Sequence, residues 1–221
     1  LSASGIGGTP ALPPVQVADV AGGALMAVAG ILAALHRVQR TGEGDYVDIS
    51  MTDGAFSLMA LHLGAHVAAG IIPEPGNGLL TGGVPCYAVY ECADGKWITV
   101  GALETPFWKE VCTLVERPDL IDTQYDPAAF PVWREIFASR PRDAWLELFA
   151  GHDACVGPVN DLAEALADPQ LSHREMVIEL EPPPLGPVRQ LGVPIKLREH
   201  PGGVRTPAPA LGEATRELLG R

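Results

Sequence analysis

The chain has 221 residues, with 15 Lys and Arg against 27 Asp and Glu and a formal net charge of −12. Such acidity repels a phosphate backbone and argues against a nucleic-acid partner. Hydrophobic residues at 47% and charged residues at 19% describe a chain that folds around a buried core, not a disordered one.

Residues 1–16 read as loop, and VQVA at 15–18 as a short apolar strand or turn. The chain opens at Leu1 in the middle of a Gly- and Ser-rich turn and is expected to be the C-terminal part of a longer protein. A helix is expected from about Val20 to Arg40. Its apolar residues recur on every side, which predicts burial. His36, Arg37 and Arg40 suit its C-terminal dipole, and TGEG stops it. YVDIS, 46–50, alternates like a short strand, and residues 51–72 read as a second long helix. The run 22–35 is short for a bilayer, and 51–72 carries Asp53, His62 and His66. Both are therefore expected to be core helices, with no membrane partner.

PEPGNGLLTGG, 73–83, breaks the composition and predicts a domain boundary. CYAVYEC and KWITVGA then form a hairpin around Ala93-Asp94-Gly95. A helix follows, with Thr105 as N-cap and Pro106 at the first helical position. WREIFASR and RPRDAWLELFAGH predict two amphipathic helices, the second stopped by Gly151. DLAEALADP predicts a short helix and MVIEL a strand. The Pro-rich 181–197 segment ends in a strand-like run, and LGEATRELLG is a terminal helix. Cys86, Cys92, Cys112 and Cys155 form no CxxC pair and read as reduced thiols, mostly buried, of a cytoplasmic protein.

Asp19 is the only charge in VADVAGGALMAVAGILAAL. An acid there either caps the helix or meets a ligand. Free first-turn amides can hold an oxyanion, and Gly22 and Gly23 let a ligand approach the backbone. Glu104 is the second acid, in GALETPFW between a strand exit and a helix start, where active-site groups often sit. His62 and His66 share a helix face, but HLGAH lacks the Glu of HExxH and a third ligand, so no metal site is expected. Gly82 and Gly83 of TGGVP resemble a glycine-rich loop near a ligand without forming a P-loop. His152-Asp153 in GHDACVGPV suits a proton relay, but reads better as a helix stop ahead of a buried strand.

Four segments together resemble the family III CoA-transferases: VADVAGGALMAVAGILAAL with RTGEGDYVDISMTDGAF, GGVPCYAVYECADGKWITVGALE, FAGHDACVGPV, and GVPIKL before a Pro-rich loop. They run through nearly the whole chain in the family's order. The second and third look most like the α-methylacyl-CoA racemase branch. The resemblance implies an α/β fold: an incomplete Rossmann-like large domain plus an α+β small domain. Residues 1–70 would belong to the large CoA-binding domain and linker helix. Residues 71–180 would form the small domain, and 181–221 would return to the large one.

The resemblance further implies that Asp19 belongs to an acid/base apparatus, that Glu104 partners a catalytic His, and that Tyr87 lies near the site. That His would precede LSASG, and no residue here matches it. Coenzyme A would enter only as the thioester part of an acyl-CoA substrate, with no permanently bound cofactor. In the transferase branch the residue matching Asp19 is instead a nucleophile that forms an aspartyl-CoA thioester. TGGV at 81–84 is shorter than the mobile glycine loop of that branch, which favours the racemase. A catalytically incomplete assembly domain is the alternative from another class. Family members form interlocked homodimers. This chain alone would expose the apolar faces of its first two helices and is expected to associate.

Overall fold

The computed structural model describes residues 3–181 and 186–220. Residues 182–185 of the Pro-rich stretch lie outside the described residues. The chain divides into two units, 1–158 and 159–221.

The first unit opens with a small antiparallel hairpin, β1 (Gly5–Ile6) and β2 (Thr9–Pro10). Its Gly8 N–H donates to the Pro75 carbonyl at 2.8 Å, which ties the N-terminal loop to the turn beginning at Pro75. The first helix starts earlier than expected, and with wide turns: Val17–Leu25 is π-helical, and α1 (Met26–Thr41) continues from it. Gly42 ends α1 in the left-handed conformation, φ 76°, with its N–H on the Val38 carbonyl.

Two expectations fail here. Residues 46–50 form no strand, although Ser50 is extended; a strand needs a neighbour to complete its hydrogen-bond ladder, and none pairs with it among the described residues. The expected helix over 51–72 is two helices, α2 (Met51–Ser57) and α3 (Ala60–Ala69). Ser57 Oγ donates back to the Gly54 carbonyl at 2.7 Å, and such back-bonding competes with the next helical turn.

Nor are these helices buried. Gly22 is the one buried residue of the π-helical segment, and α1 and α3 have none. Val28, Leu32 and Leu61 are at least half exposed. An apolar surface all round a helix predicts burial only if enough protein surrounds it. Here α2 covers the Gly22 side, Val47 and Ile49 cover Gly30, and most of the remaining surface stays exposed. Val17–Thr41 is 25 residues long, with a most apolar window of mean hydropathy 1.9, long and apolar enough to cross a membrane by length and composition.

Gly22 is buried for a local reason. A Cβ on it would stand 2.7 Å from the Ala55 amide nitrogen, and a Cβ on Gly54 would stand 2.6 Å from Gly22 Cα. The π-helical segment and α2 therefore cross at backbone contact.

The rest of the first unit has a conventional core. Strands β3 (Tyr87–Glu91), β4 (Trp97–Gly101) and β5 (Val156–Pro158) form an antiparallel sheet in that order. The hairpin between β3 and β4 is as expected, with Gly95 at φ 75° in its turn. Helices α4 (Thr105–Leu114), α5 (Phe130–Ala138) and α6 (Arg142–Phe149) complete the core. Tyr90, Trp108, Trp133, Phe137 and Trp145 are at most 2% exposed and stack in a chain, with Trp108 and Trp133 centroids 4.6 Å apart. Three of their polar ends are tied down: Trp108 Nε1 donates to Ile121 O, Trp145 Nε1 to Phe137 O and the Tyr90 hydroxyl to Pro85 O, whereas the buried Trp133 Nε1 finds no partner among the described residues.

The second unit contains α7 (Leu162–Leu166), α8 (Pro169–His173), the antiparallel pair β6 (Val177–Leu180) and β7 (Val188–Leu191), and α9 (Thr215–Leu219). Asp161 and Glu164 form a reciprocal capping box at the start of α7. The strand-like run ending the Pro-rich segment is VRQL, so PIKL at 194–197 is not a strand.

Candidate functional site

Asp19 does not cap the first helix. The N-cap position is Gln16, and Asp19 lies in the first turn, near the positive end of the dipole. Its side chain is exposed and makes no hydrogen bond or ion pair among the described residues. The Ala18 and Asp19 N–H groups likewise find no backbone acceptor there. Asp19 lines a cavity of about 1160 Å³, together with Gln16, Thr52, Phe56, His62 and Thr81. Its walls are mostly apolar, and Asp19 and His62 are the two ionisable side chains among its described lining.

The glycines beside Asp19 have another occupation. The side of Gly22 on which a side chain would stand is filled by the backbone of α2, and that of Gly23 by Met51. Their lack of a side chain sets the helix crossing, and the crossing positions Asp19 beside Met51 and Thr52. His62 is half-buried and makes no hydrogen bond among the described residues, whereas His66 Nδ1 lies 3.2 Å from the Ile71 carbonyl. No group of three His, Cys, Asp or Glu side chains placed to hold a metal occurs among the described residues.

Tyr87, Gly82 and Cys155 line a second cavity of about 400 Å³, and Thr81 lines both. Gly82 has φ 99°, a conformation that disfavours any side chain. Gly83 packs on the Asn77 backbone, and its N–H donates to the Gly78 carbonyl, so it closes the loop from below.

Sheet register explains why Tyr87, Glu104 and Cys155 come to one end. Tyr87 pairs with Gly101 across the hairpin, and the Gly101 N–H donates to the Cys155 carbonyl at 2.9 Å. Glu104 follows three residues after Gly101. It occupies the N-cap position of α4, one residue before the expected Thr105, with an extended backbone; its side chain caps nothing.

Cys155 is exposed, whereas Cys86, Cys92 and Cys112 are buried, and all four are free. Burial pushes the Cys92 thiol up to about 11 and the Cys112 thiol up to about 12. The Cys155 thiol is also raised, first by desolvation, then by the carboxylates of Asp153 and Glu104. The thiolate is the nucleophile, so removing a neighbouring carboxylate lowers this pKa and speeds alkylation. Glu104→Gln is expected to raise the rate of Cys155 carboxamidomethylation at pH 8 by about twofold. Peptide mass spectrometry after timed iodoacetamide treatment checks it; an unchanged rate would place Glu104 away from Cys155.

Sequence reasoning missed Gln124. It is buried at 7% exposure, and its Nε2 donates to the Ala102 carbonyl at 3.1 Å and the Leu103 carbonyl at 2.8 Å. Its only sequence signal is a polar residue after a Pro-started turn, which is commonplace.

Among relatives, mouse alpha-methylacyl-CoA racemase is 32% identical, over 99% of this chain and 58% of that protein. Human succinyl-CoA:glutarate CoA-transferase is 28% identical, over 96% of this chain and 50% of that protein. A crystal structure of a CaiB/BaiF family protein from Brucella suis superposes with a TM-score of 0.79 at 23% identity, covering 99% of this chain and 59% of that one. The chain thus spans between half and three-fifths of the length of these proteins. It has their mixed helix-and-strand fold, and with residues 1–215 matching the model for CoA-transferase family III, it belongs to that family.

Proposed function

We propose that the protein carrying this chain racemises 2-methylacyl-CoA thioesters by removing and returning the α-proton through an enolate. The observation that carries this reading is the Asp19 carboxylate, exposed and without a bond among the described residues, on the wall of a large, mostly apolar cavity. A thioester carbonyl acidifies its α-carbon, and a carboxylate can take that proton on one face. The N–H groups of Ala18 and Asp19, which find no backbone acceptor among the described residues, are suited to hold the enolate oxygen, where negative charge develops. Glu104 would orient the base on the other face, which the family resemblance assigns to a His outside this chain. Coenzyme A is then part of the substrate and no resident cofactor is needed. The protein works as a cytoplasmic homodimer whose partner surfaces, not lipid, cover the first helices. This chain alone would be inactive.

The second reading is CoA transfer between carboxylic acids, in which Asp19 attacks the thioester carbonyl and expels the CoA thiolate. The same free carboxylate suits it, and a 28%-identical relative is a CoA-transferase. Incubating the whole protein with a chiral 2-methylacyl-CoA in D₂O separates the two. Racemisation places deuterium at the α-carbon, read by mass spectrometry. An accepted thioester that gains no deuterium, with a hydroxylamine-sensitive adduct on Asp19, would replace the racemase by the transferase.

A further inference from the structure

We propose that Gln124 is a positioning residue that fixes the strand exit delivering Glu104 at the end of the sheet where Tyr87 and Cys155 line the second cavity. The inference rests on the role of Glu104 proposed above. The amide of Gln124 has two N–H donors, and both are used on consecutive carbonyls, Ala102 and Leu103, immediately ahead of Glu104. The main-chain carbonyl of Gln124 accepts from the Cys86 N–H at 3.4 Å, immediately ahead of Tyr87. The buried side chain thus braces the two residues preceding Glu104, 22 and 21 positions away in sequence, while the backbone of the same residue ties the residue preceding Tyr87.

The neighbouring Tyr125 reinforces one arm, its hydroxyl donating to the Leu103 carbonyl at 2.7 Å. The Glu104 side chain itself caps nothing, so its aim depends on the backbone that delivers it. A strand exit with two consecutive carbonyls tied to one buried amide has little freedom to swing. Without the brace, Ala102 and Leu103 lose their shared anchor and Glu104 samples other directions.

The test is a double-mutant cycle in the whole protein, combining Gln124→Met with Glu104→Gln. Methionine keeps the volume and removes the donors. The readout is the alkylation rate of Cys155, which needs no substrate. In the wild-type background Glu104→Gln should speed alkylation by about twofold, and in the Gln124→Met background that effect should vanish. A purely structural Gln124 would shift both rates and leave their ratio intact, which overturns the proposal. If Gln124→Met does not fold, by its urea transition, Tyr125→Phe replaces it and must at least reduce the ratio. In parallel, Gln124→Met should lower kcat for the acyl-CoA substrate by about tenfold or more with KM within about twofold, since it misplaces a group and removes no substrate contact. Loss of coupling in a protein that turns over no acyl-CoA would keep the brace and discard the functional reading. Intact coupling in an active enzyme would do the reverse.

Discussion

Asp19→Ala in the whole protein is expected to lower acyl-CoA turnover by about 10²–10⁴-fold, the usual contribution of a general acid or base. The substitution is a clean one. The side chain is exposed and bonded to nothing among the described residues, so its removal should change folding stability by no more than about 0.5 kcal/mol. Asp19→Asn sharpens the point, because it keeps the shape and removes the basic oxygen. In the racemase reading both variants abolish interconversion of the two enantiomers and deuterium exchange on the Asp19 face, while exchange by the base on the other face and binding of the CoA portion persist. In the transferase reading both abolish the hydroxylamine-sensitive adduct. Turnover within about threefold of the wild type in either variant would remove Asp19 from the chemistry altogether. The cavity would then need another group, and His62 is the other ionisable side chain among its described lining.

How far the sequence disclosed this arrangement depended on how local the governing physics was. The β3–β4 hairpin was legible because alternation and the Asp94-Gly95 turn act over adjacent residues. The stop at Gly151 was legible for the same reason, and the residue does take φ 78°. Asp19 stood out as a single charge in an apolar run. Its surroundings did not: the cap position moved to Gln16, and Gly22 met α2 and not open space, because both depend on how a second helix crosses the first. The break after Ser57, where the hydroxyl bonds back to the Gly54 carbonyl, leaves no mark in the apolar periodicity of 51–72. Burial of the first helices was overestimated because periodicity records which faces are apolar, not what covers them. Gln124 was invisible, since its role exists only when residues 86, 102 and 103 converge on it.

Gly54→Ala should destabilise the protein, although helix propensity alone predicts the opposite. In an open helix the exchange gains about 1 kcal/mol. At this crossing the new methyl group would stand 2.6 Å from Gly22 Cα, 2.5 Å from its carbonyl carbon and closer still to its carbonyl oxygen. These obstacles are backbone atoms, which cannot swing aside as a long side chain can. The π-helical segment and α2 must move apart, and overpacking of this kind typically costs roughly 1–3 kcal/mol, with a rigid obstacle toward the upper end. Subtracting the propensity gain leaves a net loss of about 1–2 kcal/mol. Gly64→Ala on α3 is the control, because nothing lies within 4 Å of the added Cβ; it should be neutral or slightly stabilising. Urea midpoints of the two variants against the wild type give the comparison. A Gly54→Ala midpoint at or above that of Gly64→Ala would mean that the helices do not cross at backbone contact. The displacement also reaches the candidate site, since Asp19 lies three residues before Gly22 and shares its cavity with Met51 and Thr52 of α2. Gly54→Ala should therefore lower kcat as well as stability, whereas Gly64→Ala should leave both in place.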